Sequence, residues 1–324
     1  RYTGKQVGPV TPKIEEITSY EELVDAFKQQ FHCAMKHMVQ IGNVVNTMHA
    51  KWVTLPFETC FTEDCVGRGL EVHAGGAKYN HDGPQAVGLA DVADSFCAIK
   101  KLVFTENRFT LKELKEAIDH DFVGYEDIKV QLINDAPKYG NNDVEVDMIA
   151  RDILTYFCEE VGQYRNLRGG HFVPGAYSNS ANIPFGEDCG AMPNGRCAGM
   201  PIAEACSPTH NVEKNGPTQA ALSVAHLDST LVTNGTQYNQ KYHPNTLKGE
   251  EGLAALVALM KTYFEEGGYH IQFNVVSGET LRKAQRDPEK YKDLVVRVAG
   301  YTAFFVDLDR ALQDDIIDRT EMAL

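Results

Sequence analysis

Residues Arg297–Phe305 read RVAGYTAFF. The run is apolar and strand-like, yet Gly300 sits in its middle. Glycine weakens a strand, because it costs backbone entropy and brings no side chain to pack. It therefore marks a tight bend, a bulge or a point of close backbone approach. Apolar residues from Leu294 to Val298 and from Thr302 to Leu308 predict two strands, with Ala299-Gly300-Tyr301 as the turn between them.

Working outward, Asp309 is placed to cap a closing helix that turns Leu312, Ile316 and Ile317 inward. Upstream, YHIQFNVV (269–276) alternates. Ile271, Phe273 and Val275 share one face, and His270, Gln272 and Asn274 the other, which predicts a strand with one polar face. That face is expected to line the glycine turn rather than to bind metal. Glu250–Glu266 has helical spacing and is stopped by Gly267-Gly268. Leu281–Gln285 opens a short helix. From Gly169 to Pro217 helical periodicity vanishes and Gly, Pro, Asn, Ser and Cys dominate. Such a length without regular pattern marks a functional segment or one buried against something else. A domain boundary is expected near 200–210, dividing the chain into 1–202 and 203–324.

Toward the N-terminus, Ser19-Tyr20-Glu21-Glu22 fits a capping box. It predicts a helix to about His49 with Leu23, Phe27, Phe31, Met35, Met38 and Ile41 on one face. LPFETCFTEDCVGRGLEVHAGGAKYNHDGPQ (55–85) reads as loop with short strand segments. Further helices are expected over about Ala86–Leu102, from a Thr110–Glu113 capping box to about His120, and over Val144–Tyr164. The last of these is expected to turn Met148, Ile149, Ile153, Phe157 and Val161 to one face.

The 324 residues are 43% hydrophobic and 23% charged, with a formal net charge of −14. That composition is ordinary for a globular protein of one large or two modest domains. The acidic balance and the lack of a basic run argue against nucleic-acid binding. No apolar stretch is long enough to span a bilayer, and no secretory signal opens the chain. Eight cysteines occur without a C-x-x-C pair, so structural zinc and a four-cysteine cluster find no support. Reduced thiols in a cytoplasm are the expectation. Arg1-Tyr2-Thr3-Gly4 reads like the interior of something longer.

Around the glycine, YKDLVVRVAGYTAFFVDLDRALQDDIIDRTEM (291–322) resembles the glycyl-radical signature of the pyruvate formate-lyase superfamily. Its core is Arg297-Val298-Ala299-Gly300-Tyr301, and it closes on Gln313-Asp314-Asp315-Ile316-Ile317-Asp318-Arg319-Thr320. GGAKYN, GPQAVGLADVADSFCAIKKLVF, PKYGNNDVEVDMIARD, NGPTQAALSVAHLD and GEEGLAALVALMKTYFEEGGYHIQFNVVS resemble the branch with glycerol dehydratase and choline lyase. The family's Pro-Asp-Gly-Arg loop appears with a departure, as Pro193-Asn194-Gly195-Arg196.

The resemblance implies an α/β fold: a ten-stranded barrel of two antiparallel five-stranded halves wrapped in helices, plus a C-terminal glycine radical domain that detaches. Residues 1–202 would be the C-terminal part of the barrel domain and 203–324 the radical domain. It implies a radical stored on Gly300, installed by a separate iron–sulfur activating enzyme that uses S-adenosylmethionine, with no cofactor bound directly. Elementary chemistry agrees with the glycine: an α-carbon radical delocalises into both flanking peptides and flattens, and a side chain would crowd the planar form. Enclosure of the turn in a dry interior would protect it.

In the resembling family the radical passes to a cysteine in a Gly-Cys-x-Glu motif, and the thiyl takes hydrogen from a small-molecule substrate. No such motif occurs in these residues. The chain is therefore expected to be the C-terminal part of a longer enzyme, or one subunit of a split one. Its partners would then be the missing portion that carries the cysteine, the activating enzyme and like subunits in a homo-oligomer. Cys65, and less directly Cys60, is the nearest substitute thiol. Cys189, Cys197 and Cys206 lie in the irregular stretch, where buried inert thiols are the ordinary reading. Glu58, Glu63 and Asp64 form an acidic cluster; a solvated loop is the ordinary reading and a base the functional one. His73 and His81 could shuttle protons or serve structure. Arg297 and Tyr301 flank the glycine and complete the candidate set. The leading activity is a dehydratase-type lyase breaking C–O or C–N. The alternatives are an arylacetate-type decarboxylase breaking C–C and a noncatalytic repair subunit that donates a fresh glycine loop.

Overall fold

A computed structural model describes residues 5–322; Arg1-Tyr2-Thr3-Gly4 lies outside them. The chain divides into two compact units. One takes the chain up to Pro84 with Tyr156–Pro174, and the other takes Gln85–Thr155 and the described chain from Gly175 on.

The first unit is led by α1 (Tyr20–Trp52). Ser19 caps it, its side chain accepting the Glu22 N–H at 3.2 Å. The reciprocal half of the expected box is displaced by one residue: the Glu22 carboxylate takes the Thr18 N–H at 2.7 Å. Phe31 packs on Tyr156 and edge-on to Phe157, at 5.6 and 6.3 Å between centroids. His32 meets the buried Glu160 at 2.6 Å. Ile41 does not continue the packed stripe; it is 64% exposed, in a run with Val44, Met48 and Trp52. The segment expected to hold strands instead forms α2 (Pro56–Phe61) and α3 (Cys65–Arg68), followed by a 3₁₀ turn. Pro56 presets the first helical φ. The Glu71 carboxylate accepts from Leu55, His73 and Ala74 N–H groups, which closes the segment on itself without a sheet.

The second unit begins with α4 (Leu89–Ala98). It starts later than the apolar pattern predicts. Ala86 N–H is bonded to Gly175 O at 2.8 Å, and Gly88 takes φ +81° to turn the chain into the helix. Beyond Ala98 the helix widens into π-type hydrogen bonding over Ile99–Thr105. Nearly every α4 residue is buried, Asp91 and Asp94 included. Each carboxylate is satisfied by a distant segment: Asp94 accepts Tyr139 N–H at 2.8 Å, and Asp91 accepts Ala203 N–H and the Asn194 amide. Thr110 and Glu113 form the expected box at α5 (Leu111–Asp119). An unanticipated α6 (Glu126–Asn134) follows. In α7 (Val144–Gly162) the buried stripe is Val146, Ala150, Leu154, Phe157 and Val161, whereas Met148, Ile149 and Ile153 are only half-buried. Asp147, 0% exposed, ties that stripe to Ser223 and His226.

The irregular stretch is broken only by α8 (Asn182–Asp188). It leads to α9 (Pro217–Ala225), β1 (Asn239–Tyr242), α10 (Gly249–Glu265) and β2 (Gln272–Val275). β1 and β2 are parallel, with Asn239 opposite Gln272 and Tyr242 opposite Val275. α10 supplies the long crossover that a parallel pair requires. Then come α11 (Gly278–Arg286), the antiparallel pair β3 (Val295–Arg297) and β4 (Thr302–Phe304), α12 (Arg310–Asp318), and β5 (Glu321–Met322). β5 pairs parallel with β1, giving the order β2-β1-β5. Val296, Val298, Ala299 and Phe305 pack against Leu281, Leu312 and Ile316, so α11 and α12 form the seat of the hairpin. Among the described residues no helix is long and apolar enough to cross a membrane.

Burial drives the Asp94 carboxyl up to about 7, against the opposing pull of Lys138 and the Tyr139 N–H. An unfolded carboxyl titrates near ~4. A raised acid stabilises the fold fully below that value and loses the contribution as pH rises through about 7. Asp94→Asn is therefore expected to flatten the fall in stability between pH 4 and pH 7, read by urea unfolding. Identical pH slopes in parent and variant would overturn this account of Asp94.

Candidate active site

Gly300 forms the tip of the β3–β4 hairpin. Arg297 lies opposite Thr302, and Val298 N–H reaches Tyr301 O at 2.9 Å, leaving Ala299-Gly300 as a two-residue turn. Gly300 has φ +79°. Left-handed φ at the second turn position belongs to the type II geometry, which favours glycine. A Cβ added there would meet nothing within 4 Å. Within this chain, then, backbone conformation and not crowding selects glycine.

Within this chain the turn is open on one side. Val298 and Ala299 are buried, at 0% and 5%, but Gly300 itself is exposed. Its α-carbon stands at the rim of a hollow of about 400 Å³ lined by Tyr177, Asn179, Gln237, His270 and Tyr301. Burial lowers the His270 imidazole below its usual range, and Arg297 adds to the effect. His270 Nδ1 accepts the Tyr238 N–H at 3.4 Å, which places the ring proton on Nε2. Gln237 is 2% exposed, and neither atom of its amide finds a partner among the described residues.

The polar face of the 270–274 strand is the inward one. Asn274 grips the Arg297 peptide from both sides: its amide donates to Arg297 O at 2.6 Å, and its carbonyl accepts Arg297 N–H at 2.8 Å. Arg297 in turn donates to Gln272 Oε1 at 2.9 Å and to Thr302 Oγ1 at 3.0 Å. Val298 O receives Arg319 Nη1 at 3.0 Å and the amides of Gln272 and Asn239 at 3.4 Å each. The flanking candidates Arg297 and Tyr301 thus belong with Gly300, Arg297 as a strut and Tyr301 on the rim of the hollow.

Glu58, Asp64 and Cys65 belong to the first unit, whereas Gly300 belongs to the second. Glu58, Glu63 and Asp64 are exposed; Cys65 is 1% exposed and Cys60 is exposed. His73 Nδ1 bonds Val53 O at 2.7 Å, and His81 accepts His171 N–H. Cys206 is buried, and Cys197 Sγ lies 2.8 Å from Lys129 Nζ. The asparagine of the Pro193–Arg196 loop donates to Asp91, and its carbonyl oxygens accept from Lys138 and Arg196. Sequence reasoning did not single out Tyr177, Asn179, Gln237 or Asn239. These polar side chains sit in loops or at a strand start and carry no periodicity, so no local signal marks them.

Residues 1–186 match the pyruvate formate lyase-like family model, and residues 202–306, Gly300 included, match the glycine radical model. The chain belongs to the pyruvate formate lyase-like family. It is similar to the trans-4-hydroxy-L-proline dehydratase of Clostridioides difficile, 39% identical over 98% of this chain and 40% of that protein. It is also similar to the (2S)-3-sulfopropanediol dehydratase of Klebsiella oxytoca, 36% identical over 99% of this chain and 39% of that protein. The glycerol-bound B12-independent glycerol dehydratase from Clostridium butyricum superposes with a TM-score of 0.95 at 46% identity, covering 99% of this chain and 41% of that one. The chain thus spans about 40% of the length of the curated relatives it matches.

For this member of the pyruvate formate lyase-like family, Gly300→Ala is expected to cost about 1 kcal/mol of stability, the penalty of a Cβ at left-handed φ. Chemical denaturation measures it. A loss several times larger would show that crowding, not φ, selects the glycine.

Proposed function

We propose that this chain is the glycyl-radical-bearing part of a dehydratase-type lyase, with the unpaired electron stored on the α-carbon of Gly300. The observation that carries the reading is the held turn. A glycine at left-handed φ is fixed through its neighbours' backbone at the rim of a polar hollow, in a chain whose family match includes the glycine radical region. The buried, partnerless amide of Gln237 beside that hollow supports the entry of a further polar group.

In this reading Gly300 takes a hydrogen atom from a cysteine thiol carried on the remaining portion of a family-length polypeptide. The resulting thiyl takes a hydrogen atom from a hydroxyl-bearing substrate carbon. The neighbouring C–O or C–N bond then breaks, and the hydroxyl proton leaves with the departing water or amine. The product radical recovers its hydrogen atom from the thiol. Relatives named as dehydratases support C–O cleavage first. A separate S-adenosylmethionine-dependent iron–sulfur enzyme would install the radical. Residues 1–202 would complete a ten-stranded barrel with the remaining portion, and 203–324 would detach to expose Gly300. The remaining portion would also enclose the turn and cover the exposed apolar run of α1 that ends at Trp52. None of the eight cysteines is in a disulfide, which suits a reducing cytoplasm. A homo-oligomer is part of the same proposal.

A glycyl radical keeps one α-hydrogen, so its resonance splits into a doublet. Anaerobic activation of the protein together with its cysteine-bearing portion is expected to give that doublet by electron paramagnetic resonance. Gly300→Ala is expected to abolish it. A doublet that survives the substitution would overturn the assignment.

A further inference from the structure

Resting on the reading of Gly300 above, we propose that Glu204 and Arg319 are positioning residues that latch the glycine turn in place. The Arg319 guanidinium delivers Nη1–H to Val298 O at 3.0 Å, two residues before Gly300. Its Nη2 donates to Asp315 Oδ2 at 3.1 Å and makes a close ion-pair contact, without a hydrogen bond, with Glu204 Oε2 at 2.5 Å. All three side chains are buried: 8% exposed for Arg319, 2% for Glu204 and 1% for Asp315. Asp315 is held further by the Asn182 amide at 3.1 Å.

The latch joins three parts of the chain. Arg319 caps the C-terminal end of α12, Val298 directly follows β3 at the entry to the turn, and Glu204 lies in the irregular stretch. That stretch grips the end of α12 again a few residues later. Asn211 N–H bonds Thr320 Oγ1 at 2.9 Å, the Asn211 amide bonds Asp318 O at 3.1 Å, and the Thr320 hydroxyl bonds Glu213. Only a fork-shaped cation can serve a peptide carbonyl and two carboxylates from one site, so lysine is a poor substitute. Three charged groups buried this deeply contribute little net stability as a cluster, but removing Arg319 leaves two carboxylates uncompensated. Mere stability is thus a weak reason for their presence. Delivery of a charged donor to the turn's own carbonyl is a specific one.

Hydrogen exchange read by mass spectrometry over residues 294–305 tests the latch without any radical chemistry. Arg319→Lys and Glu204→Gln are expected to speed exchange of the hairpin amides by about 10-fold or more. The double variant Glu204→Leu/Arg319→Met replaces the pair with apolar side chains. With Asp315→Asn added, so that no buried carboxylate is left unpaired, the triple variant is expected to recover thermal stability while hairpin exchange stays fast, because Val298 O still lacks its charged donor. Leu132→Ala, a core lesion outside the hairpin's packing, is expected to leave hairpin exchange as in the parent. Parental exchange in Arg319→Lys, or its full restoration in the Glu204→Leu/Asp315→Asn/Arg319→Met triple variant, would overturn the proposal. Failure of the parent to give a doublet would defeat the radical reading while the exchange result still decides the latch.

Discussion

Glycine has no side chain by which it can be held, so a functional glycine must be fixed through the peptide groups around it. Here that constraint is met by convergence on the backbone of two residues, Arg297 and Val298. The amide of Asn274 clasps the Arg297 peptide on both sides, and three donors meet at Val298 O. The strand that supplies Gln272 and Asn274 therefore turns its polar face inward, an inversion of the usual apolar-in pattern. The apolar side of the hairpin is taken up by α11 and α12. The turn is thus seated on hydrocarbon and aimed by hydrogen bonds.

Buried carboxylates do comparable work in the rest of the second unit. The irregular stretch 169–217 has few backbone partners of its own, so its amide groups need acceptors from elsewhere. Asp91 supplies one to Ala203, and Asn141 accepts from Lys214. The asparagine of the Pro193–Arg196 loop donates to the same Asp91. An aspartate there would set a second carboxyl against the first, so asparagine suits the buried position.

Much of the hairpin was legible in the residues themselves. A glycine between two apolar runs, Asp309 as a cap, and Gly267 at a helix end are local signals, and each element formed, although the second run expected as a strand to Leu308 stays extended only to Phe304 and then turns through a 3₁₀ segment over Phe305–Asp307. The structure departs from the local pattern where a distant partner overrides it. The Ala86 start yielded to a bond with Gly175. The face of α7 rotated by a residue or two because its buried Asp147 is answered from α9. Ile41 fits the helical stripe by spacing, but its side chain is left outward.

Sequence alone determined the family, the two-strand-and-turn reading around Gly300, and the helices that carry their own caps, because each depends on residues a few positions apart. Tertiary structure decided which face of the 270–274 strand is buried, how open the turn is, and that Glu204 and Arg319 meet beneath it. Asn182 and Asp315, bonded across 133 positions, show why. A hydrogen bond between distant segments depends on where the backbone returns, and neither residue's immediate neighbours encode that return.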